Sequence, residues 1–378
     1  ATAARAASYV ALVNETTAAL HTALPGSLTA VCVAWSPDIG EWNPDDGRNY
    51  DYPALAAASD LTYIMAYDTR SFVVDRCVAS ANAPITAAVR GATRYLQLGI
   101  PADKLIVGIP WYGYLYPCQA RNGSRLDPAA DVCETAMVPF NDLPTGLKCS
   151  DQVGAQASYS EIMLLLDTGA CSATSFRPLS PAMPAQNLSR CRVTTPLRWD
   201  DATQSPYFNF VSGDAGKERL FQVWFDNPDS VRLKVEAARK LGLRGVGPYE
   251  LHHVDSTMNG TGIAGFVNRR APAESKAMWA ALKADDRHDA PVSNLTAFRY
   301  ALDLAPASLS DGFHNRSMQS WGGQILRDDD GGYHMWSAAF VGGCNLGGWT
   351  QNSVVVHAVS EGPSSDWHFE RKEEVFPL

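Results

Sequence analysis

A tyrosine followed directly by an aspartate, Tyr67-Asp68, closes the apolar run Leu61 to Tyr67 (LTYIMAY). A phenol donates one hydrogen bond and a carboxylate accepts several, so the pair can hold a polar group from two sides. Three other apolar runs end in similar chemistry. Leu28 to Trp35 (LTAVCVAW) ends at Trp35, Leu105 to Trp111 (LIVGIPW) runs on into Tyr112-Gly113-Tyr114, and Leu243 to Tyr249 ends at Tyr249-Glu250. Aromatic faces stack on sugar rings, so the set suits a saccharide cleft. Rim packing and helix capping are the plain alternative for any single member.

The elements that must position these residues follow from the hydrophobic pattern. Short apolar runs bounded by Ser-Pro, Asp or Gly read as buried strands, and residues 3–24, 52–58, 81–98 and 230–241 read as helices between them. Strand, loop, helix, strand in repeated order gives parallel strands with crossover helices. The runs are apolar on both faces, as a doubly covered parallel sheet requires. In an α/β barrel the reactive groups gather at the C-terminal ends of the strands, which is where Trp35, Met65, Tyr67, Asp68, Trp111, Tyr112 and Tyr249 stand. A Pro-, Gly- and Cys-rich insertion at about 115–220 breaks the rhythm, which is expected to return with the strand Phe221 to Phe225. Ala273 to Leu282 reads as a closing helix, residues 285–292 as a charged linker, and residues 293–378 as antiparallel β with Gly and Asp turns.

Composition excludes several classes. The 378 residues carry a net charge of −9 with no Lys/Arg run, so nucleic acid is not an expected partner. No stretch approaches the ~18 apolar residues of a membrane span. The eight cysteines (32, 77, 118, 133, 149, 171, 191 and 344) form no CxxC pair, and His252, His253 and Asp255 fit no ligand spacing, so no metal or other cofactor is expected. Six N-x-S/T sequons, at Asn14, Asn122, Asn187, Asn259, Asn294 and Asn315, together with spaced cysteines favour a secreted or lysosomal, lumenal setting. The chain opens at Ala1 inside a helical pattern with no leader, so its true start is expected upstream.

Met65-Ala-Tyr67-Asp68 after an apolar strand resembles the M-x-Y-D motif of glycoside hydrolase family 18, and Gly108-Ile-Pro110-Trp111-Tyr112-Gly113-Tyr114 resembles that family's next strand. Val33-Ala-Trp35-Ser-Pro37, Asn82-Ala-Pro84, Val138-Pro-Phe140, Cys149-Ser-Asp151 and Gln222-Val-Trp224-Phe-Asp226-Asn-Pro228 extend the likeness over about residues 1–284. The resemblance implies an α/β fold, a partial (β/α)8 TIM barrel of strands five to eight. It implies a retaining, substrate-assisted glycosidase acting on N-acetylglucosamine-containing glycans, a chitooligosaccharide or an N-glycan core. By that likeness Tyr67 donates to the substrate acetamide and Asp68 holds the distorted ring. Met65 lines the acetamide pocket, and Trp35, Trp111, Tyr112 and Tyr249 contact substrate. Residues 293–378 resemble, more weakly, the opening of a family 43-type five-bladed β-propeller.

Two departures stand out. The family's D-x-x-D-x-D-x-E motif, which carries the general acid, is absent, and the lookalike Asp46 to Pro53 has Pro53 in the glutamate's place. The true motif is expected upstream of Ala1, and these 378 residues alone are expected to be inactive. Tyr249 stands where the family ends strand eight with Trp. A non-catalytic, lectin-like carbohydrate-binding protein is therefore the rival reading. Oligomeric state is not legible.

Overall fold

In the computed structural model, which describes residues 3–38, 50–69, 77–120, 126–136, 153–169, 171, 175–176, 186–249, 273–282, 319–327, 331–340, 353–361 and 368–373, the apolar runs become a parallel sheet. α1 (Ala3–Ala23), β1 (Ala30–Val33), α2 (Tyr52–Ala58), β2 (Leu61–Ile64), α3 (Ile85–Gln97) and β3 (Leu105–Pro110) alternate along the chain. An insertion follows: β4 (Tyr112–Pro117), β5 (Ala155–Ser158), α4 (Tyr159–Thr168), the short strands β6 (Ser175–Phe176), β7 (Gln186–Asn187), β8 (Arg192–Val193) and β9 (Arg198–Asp200), then β10 (Ser205–Ser212) and β11 (Arg219–Trp224). The α/β pattern resumes with α5 (Pro228–Lys240), β12 (Gly245–Tyr249) and α6 (Ala273–Leu282). The sheet order is β1-β2-β3-β12, every pair parallel, as in one arc of a (β/α)8 barrel.

Helices cover one face of this sheet. Val31, Val33, Ile64, Leu105 and Val107 are buried there against Leu55 of α2, Ala88, Ala92 and Tyr95 of α3, and Ala238 of α5. The opposite face is not closed as the doubly apolar runs led us to expect: Ala30 and Cys32 of β1 are exposed and Tyr63 of β2 is half-buried. Helices account for only one side, and in a barrel the second side is the interior, which opposing strands fill. Tyr63 lies flat across this face over two glycines. A Cβ on Gly108 would sit 2.7 Å from its ring, and one on Gly247 would sit 2.9 Å from it. Its hydroxyl donates to the Gly247 carbonyl at 3.0 Å, tying β2 to β12.

Local sequence sets the helix ends. Ser158 and Glu161 form a capping box on α4, and Gly169 terminates it with φ 69°. Asn227 caps α5, with Pro228 in the first turn. The motif lookalike before α2 is a cap as well: Asp51 accepts from the Ala54 amide, and Pro53 lies in the first turn.

Phe221 to Phe225 corrects an expectation. It does not return to the parallel sheet. Arg219–Trp224 pairs antiparallel with β10 and β4, inside a sheet ordered β5-β4-β11-β10-β8. An apolar run has no signature for the sheet it joins, and Tyr112–Pro117, wholly buried, extends the same insertion sheet. Disulfides Cys118–Cys133 and Cys171–Cys191 staple this region, and Cys77 is also disulfide-bonded.

The chain divides into two compact units, Ala1–Pro291 and Val292–Leu378. In the second, β13 (Gln319–Arg327), β14 (Tyr333–Phe340), β15 (Ser353–Ser360) and β16 (His368–Glu373) form a consecutive antiparallel sheet. Among the described residues no helix is long and apolar enough to cross a membrane. Residues 285–292, Glu250, His252, His253 and Asp255, Val138 to Phe140, Cys149 to Asp151, Cys344 and the sequons at Asn122, Asn259, Asn294 and Asn315 lie outside the described residues.

Candidate active site

Asp68 follows β2 in a left-handed backbone conformation, φ 55°, which Asp tolerates better than most residues. Asn82 holds it there. The Asp68 amide donates to Asn82 Oδ1 at 2.9 Å, and Asn82 Nδ2 donates to the Tyr112 carbonyl at 3.2 Å. Asn82 thus fastens the end of β2 to the start of β4, and it is itself buried. A strained residue so over-determined by its surroundings is a common mark of a functional position.

The side chain of Asp68 receives two phenols. Tyr112 donates to Oδ1 at 2.6 Å and Tyr114 donates to the same oxygen at 2.7 Å. Both tyrosines come from β4, two residues apart and therefore on one face. Burial raises the Asp68 carboxyl above its ordinary value of 3.8, and the two hydroxyls pull it partly back. Burial likewise pushes the Tyr67 and Tyr112 phenols upward, with the Asp68 charge adding to the effect, so both stay protonated donors.

Tyr67 stands beside this cluster. Its ring stacks on Tyr249 at 5.2 Å and 16° and meets Tyr112 edge-on at 6.1 Å. Tyr67 is 8% exposed whereas Tyr249 is 42% exposed, so Tyr249 forms the outer shelf and Tyr67 the inner one. Met65 packs against the same cluster, together with Tyr63. Met65, Tyr67, Asp68, Tyr112 and Tyr249, which the sequence proposed together, are thus brought together.

Two proposed members are not. Trp111 is fully buried in a different core, among Ile109, Phe208 and Phe225. It precedes Tyr112 by one residue, and strand alternation turns it to the opposite face. Trp35 packs on α3 instead of the tyrosine cluster. The Arg90 guanidinium lies 4.9 Å above its ring, and a Cβ on Gly91 would fall 1.8 Å from its carbonyl oxygen, so the helix is seated directly on the strand end. In the other direction, sequence reasoning gave no role to Tyr114 or Asn82. The Tyr-Gly-Tyr spacing was a usable signal for the first, and the Asn82-Ala-Pro84 motif, quoted only for the resemblance, was one for the second.

The sequence matches the profile of "Glycosyl hydrolases family 18" over residues 2–253. The chain belongs to that family. It is 33% identical over 276 residues to "Di-N-acetylchitobiase" of Rattus norvegicus, an alignment covering 73% of this chain and 61% of the relative. It is 34% identical over 252 residues to "Probable di-N-acetylchitobiase 2" of Dictyostelium discoideum, covering 66% and 57%. This chain thus spans about three fifths of the length of these curated relatives. A solved class V chitinase from Nicotiana tobaccum aligns with TM-score 0.45 and 18% identity over 75% of this chain and 65% of its own.

Proposed function

We propose that this family 18 chain carries the acetamide-holding part of a glycosidase site that cleaves N-acetylglucosamine-containing glycans, chitooligosaccharides or an N-glycan core, with retention. The observation that carries the reading is the cluster at Asp68: a half-buried carboxylate fixed by two phenols, next to a stacked tyrosine pair open on one side. The names of the curated relatives agree with that substrate class. In the substrate-assisted route a carboxylic acid protonates the glycosidic oxygen, and the acetamide oxygen of the substrate attacks the anomeric carbon. Tyr67 donates to that acetamide oxygen, Asp68 holds the reacting ring, Met65 and Tyr112 bound the pocket, and Tyr249 offers its ring to the sugar. The acid is a glutamate that these 378 residues do not supply. In a protein that includes the acidic motif, Tyr67→Phe is expected to lower kcat on a chromogenic chitobioside roughly 100-fold, as loss of one transition-state donor does elsewhere. Unchanged kcat sinks the assignment.

A lectin-like protein is the second reading, favoured by Tyr249 where the family has Trp. A glutamine or leucine in place of the motif's glutamate would decide for it. The compartment we infer is secretory or lysosomal, which the disulfides and the exposed sequon asparagine Asn14 support. For the Val292–Leu378 unit we infer one propeller-like blade, on the strength of its four consecutive antiparallel strands.

A further inference from the structure

Behind the tyrosines that hold Asp68 stands a residue with no part in the reading above. Gln156 lies on β5, directly across from Tyr114 of β4 in the antiparallel register. It is exposed, whereas Tyr114 is buried. Its Nε2 donates to the Tyr114 hydroxyl oxygen at 3.1 Å, and Tyr114 in turn donates to Asp68 Oδ1 at 2.7 Å. The chain of bonds thus runs from the rim of the insertion sheet to the site carboxylate.

A phenol has one proton and a carboxamide nitrogen can only donate. While Nε2 faces Tyr114, the tyrosine oxygen is the acceptor and its proton is left for Asp68. The opposite amide orientation brings a carbonyl to Tyr114. That carbonyl takes the proton, and two bare oxygens then face each other at Asp68 unless the carboxyl is itself protonated. The orientation of Gln156 and the charge on Asp68 are therefore coupled. We propose that Gln156 is a positioning residue for the glycosidase site, directing the proton of Tyr114 onto Asp68 and so keeping Asp68 an ionised acceptor. This rests on the reading of Asp68 as a site residue.

The ionisable groups around Asp68 among the described residues are Tyr112 and Tyr114 of β4 and the adjacent Tyr67, with Tyr63 of β2, Tyr249 of β12 and Cys32 of β1 beyond Tyr67. None of them is a cation. A hydrogen-bond relay is thus the means these elements provide for holding the charge, and bonds in such a chain reinforce one another.

The test compares Gln156→Ala and Gln156→Glu in the 378-residue chain, with the Asp68 carboxyl followed by carbon NMR across pH. Alanine removes the donor. Glutamate is isosteric, but its carboxylate only accepts, so it draws the Tyr114 proton away from Asp68. The expected order of Asp68 titration midpoints is wild type, then Ala, then Glu, with Glu higher than wild type by about one unit. The added charge alone raises Asp68 in the Glu variant, so the Ala variant decides: a purely structural role for an exposed side chain leaves its midpoint at the wild-type value, and that result overturns the proposal. A Glu midpoint equal to that of wild type overturns the proposal. The titration needs no sugar, so it stands apart from the functional assignment. If the midpoints move as expected while Asp68→Asn leaves turnover in the acid-containing protein unaltered, the function falls and the relay remains.

Discussion

The single carboxylate at position 68 is where stability and function pull in different directions. Its folded-state value lies above the 3.8 of the free group because burial penalises the charge. The folded chain then binds more protons than the unfolded one between 3.8 and the folded value, so stability falls as pH rises through that window. Asp68→Asn keeps an oxygen to accept from Tyr112 and Tyr114 but removes the charge. Its urea midpoint at pH 7 is expected to equal or exceed that of wild type, and the difference to shrink as pH falls toward 4. Oligosaccharide affinity should drop, by the ~1.5–3 kcal/mol that a hydrogen bond to a charged group contributes. A variant destabilised at pH 7 as much as at pH 4 would contradict this account. Tyr67 and Asp68 were legible in the sequence because they end an apolar run, where a parallel strand delivers side chains to a rim. Tyr114 as a partner was not, since its contact with Asp68 depends on how β4 leaves β3. That Trp111 lies apart from the tyrosine cluster was not legible either, because one residue of alternation decides the face and its position in the run did not reveal that.

Helices and strands carry their own charged element. Lys234 of α5 and Asp226, just after β11, form an ion pair whose side chains are 2% and 1% exposed, and Ser230 Oγ also donates to Asp226 Oδ1 at 2.6 Å. Burial depresses the lysine value and the aspartate restores part of it. Removing one partner leaves the other charged and buried, which costs about 3–5 kcal/mol, whereas replacing both by apolar groups can be nearly neutral. Lys234→Met should therefore lose that much stability in denaturant titration, and Lys234→Met with Asp226→Leu should recover most of it. Equal losses in the two variants would refute a pairwise origin. The sequence marked Asp226 only within the Gln222 to Pro228 motif and Lys234 only within a helix, so the pairing was not legible. The same limit explains β11. Its composition said strand, and the choice between the parallel sheet and the insertion sheet was made by β10, which ends seven residues before β11 begins, and by β4, more than a hundred residues earlier in the chain.

At the scale of the molecule, the helix-covered face and the uncovered face of β1-β2-β3-β12 differ in what they need. The covered face has its apolar core. The other presents Ala30, Cys32 and Tyr63, and the proposed chemistry requires an acid beyond Tyr67 and Asp68. Neither the tyrosines nor the half-buried aspartate can serve. The phenols are held protonated far above neutral pH, and Asp68 is already committed to two donors. The 378-residue chain is thus expected to bind a chitobiose-type ligand weakly and to release no chromophore from it. Adding a segment that carries D-x-x-D-x-D-x-E should confer turnover, by the roughly 100- to 10,000-fold that a positioned general acid contributes. Comparable release by both proteins, measured in one assay, would mean that a group among these residues does the protonation and that the division of labour argued here is wrong.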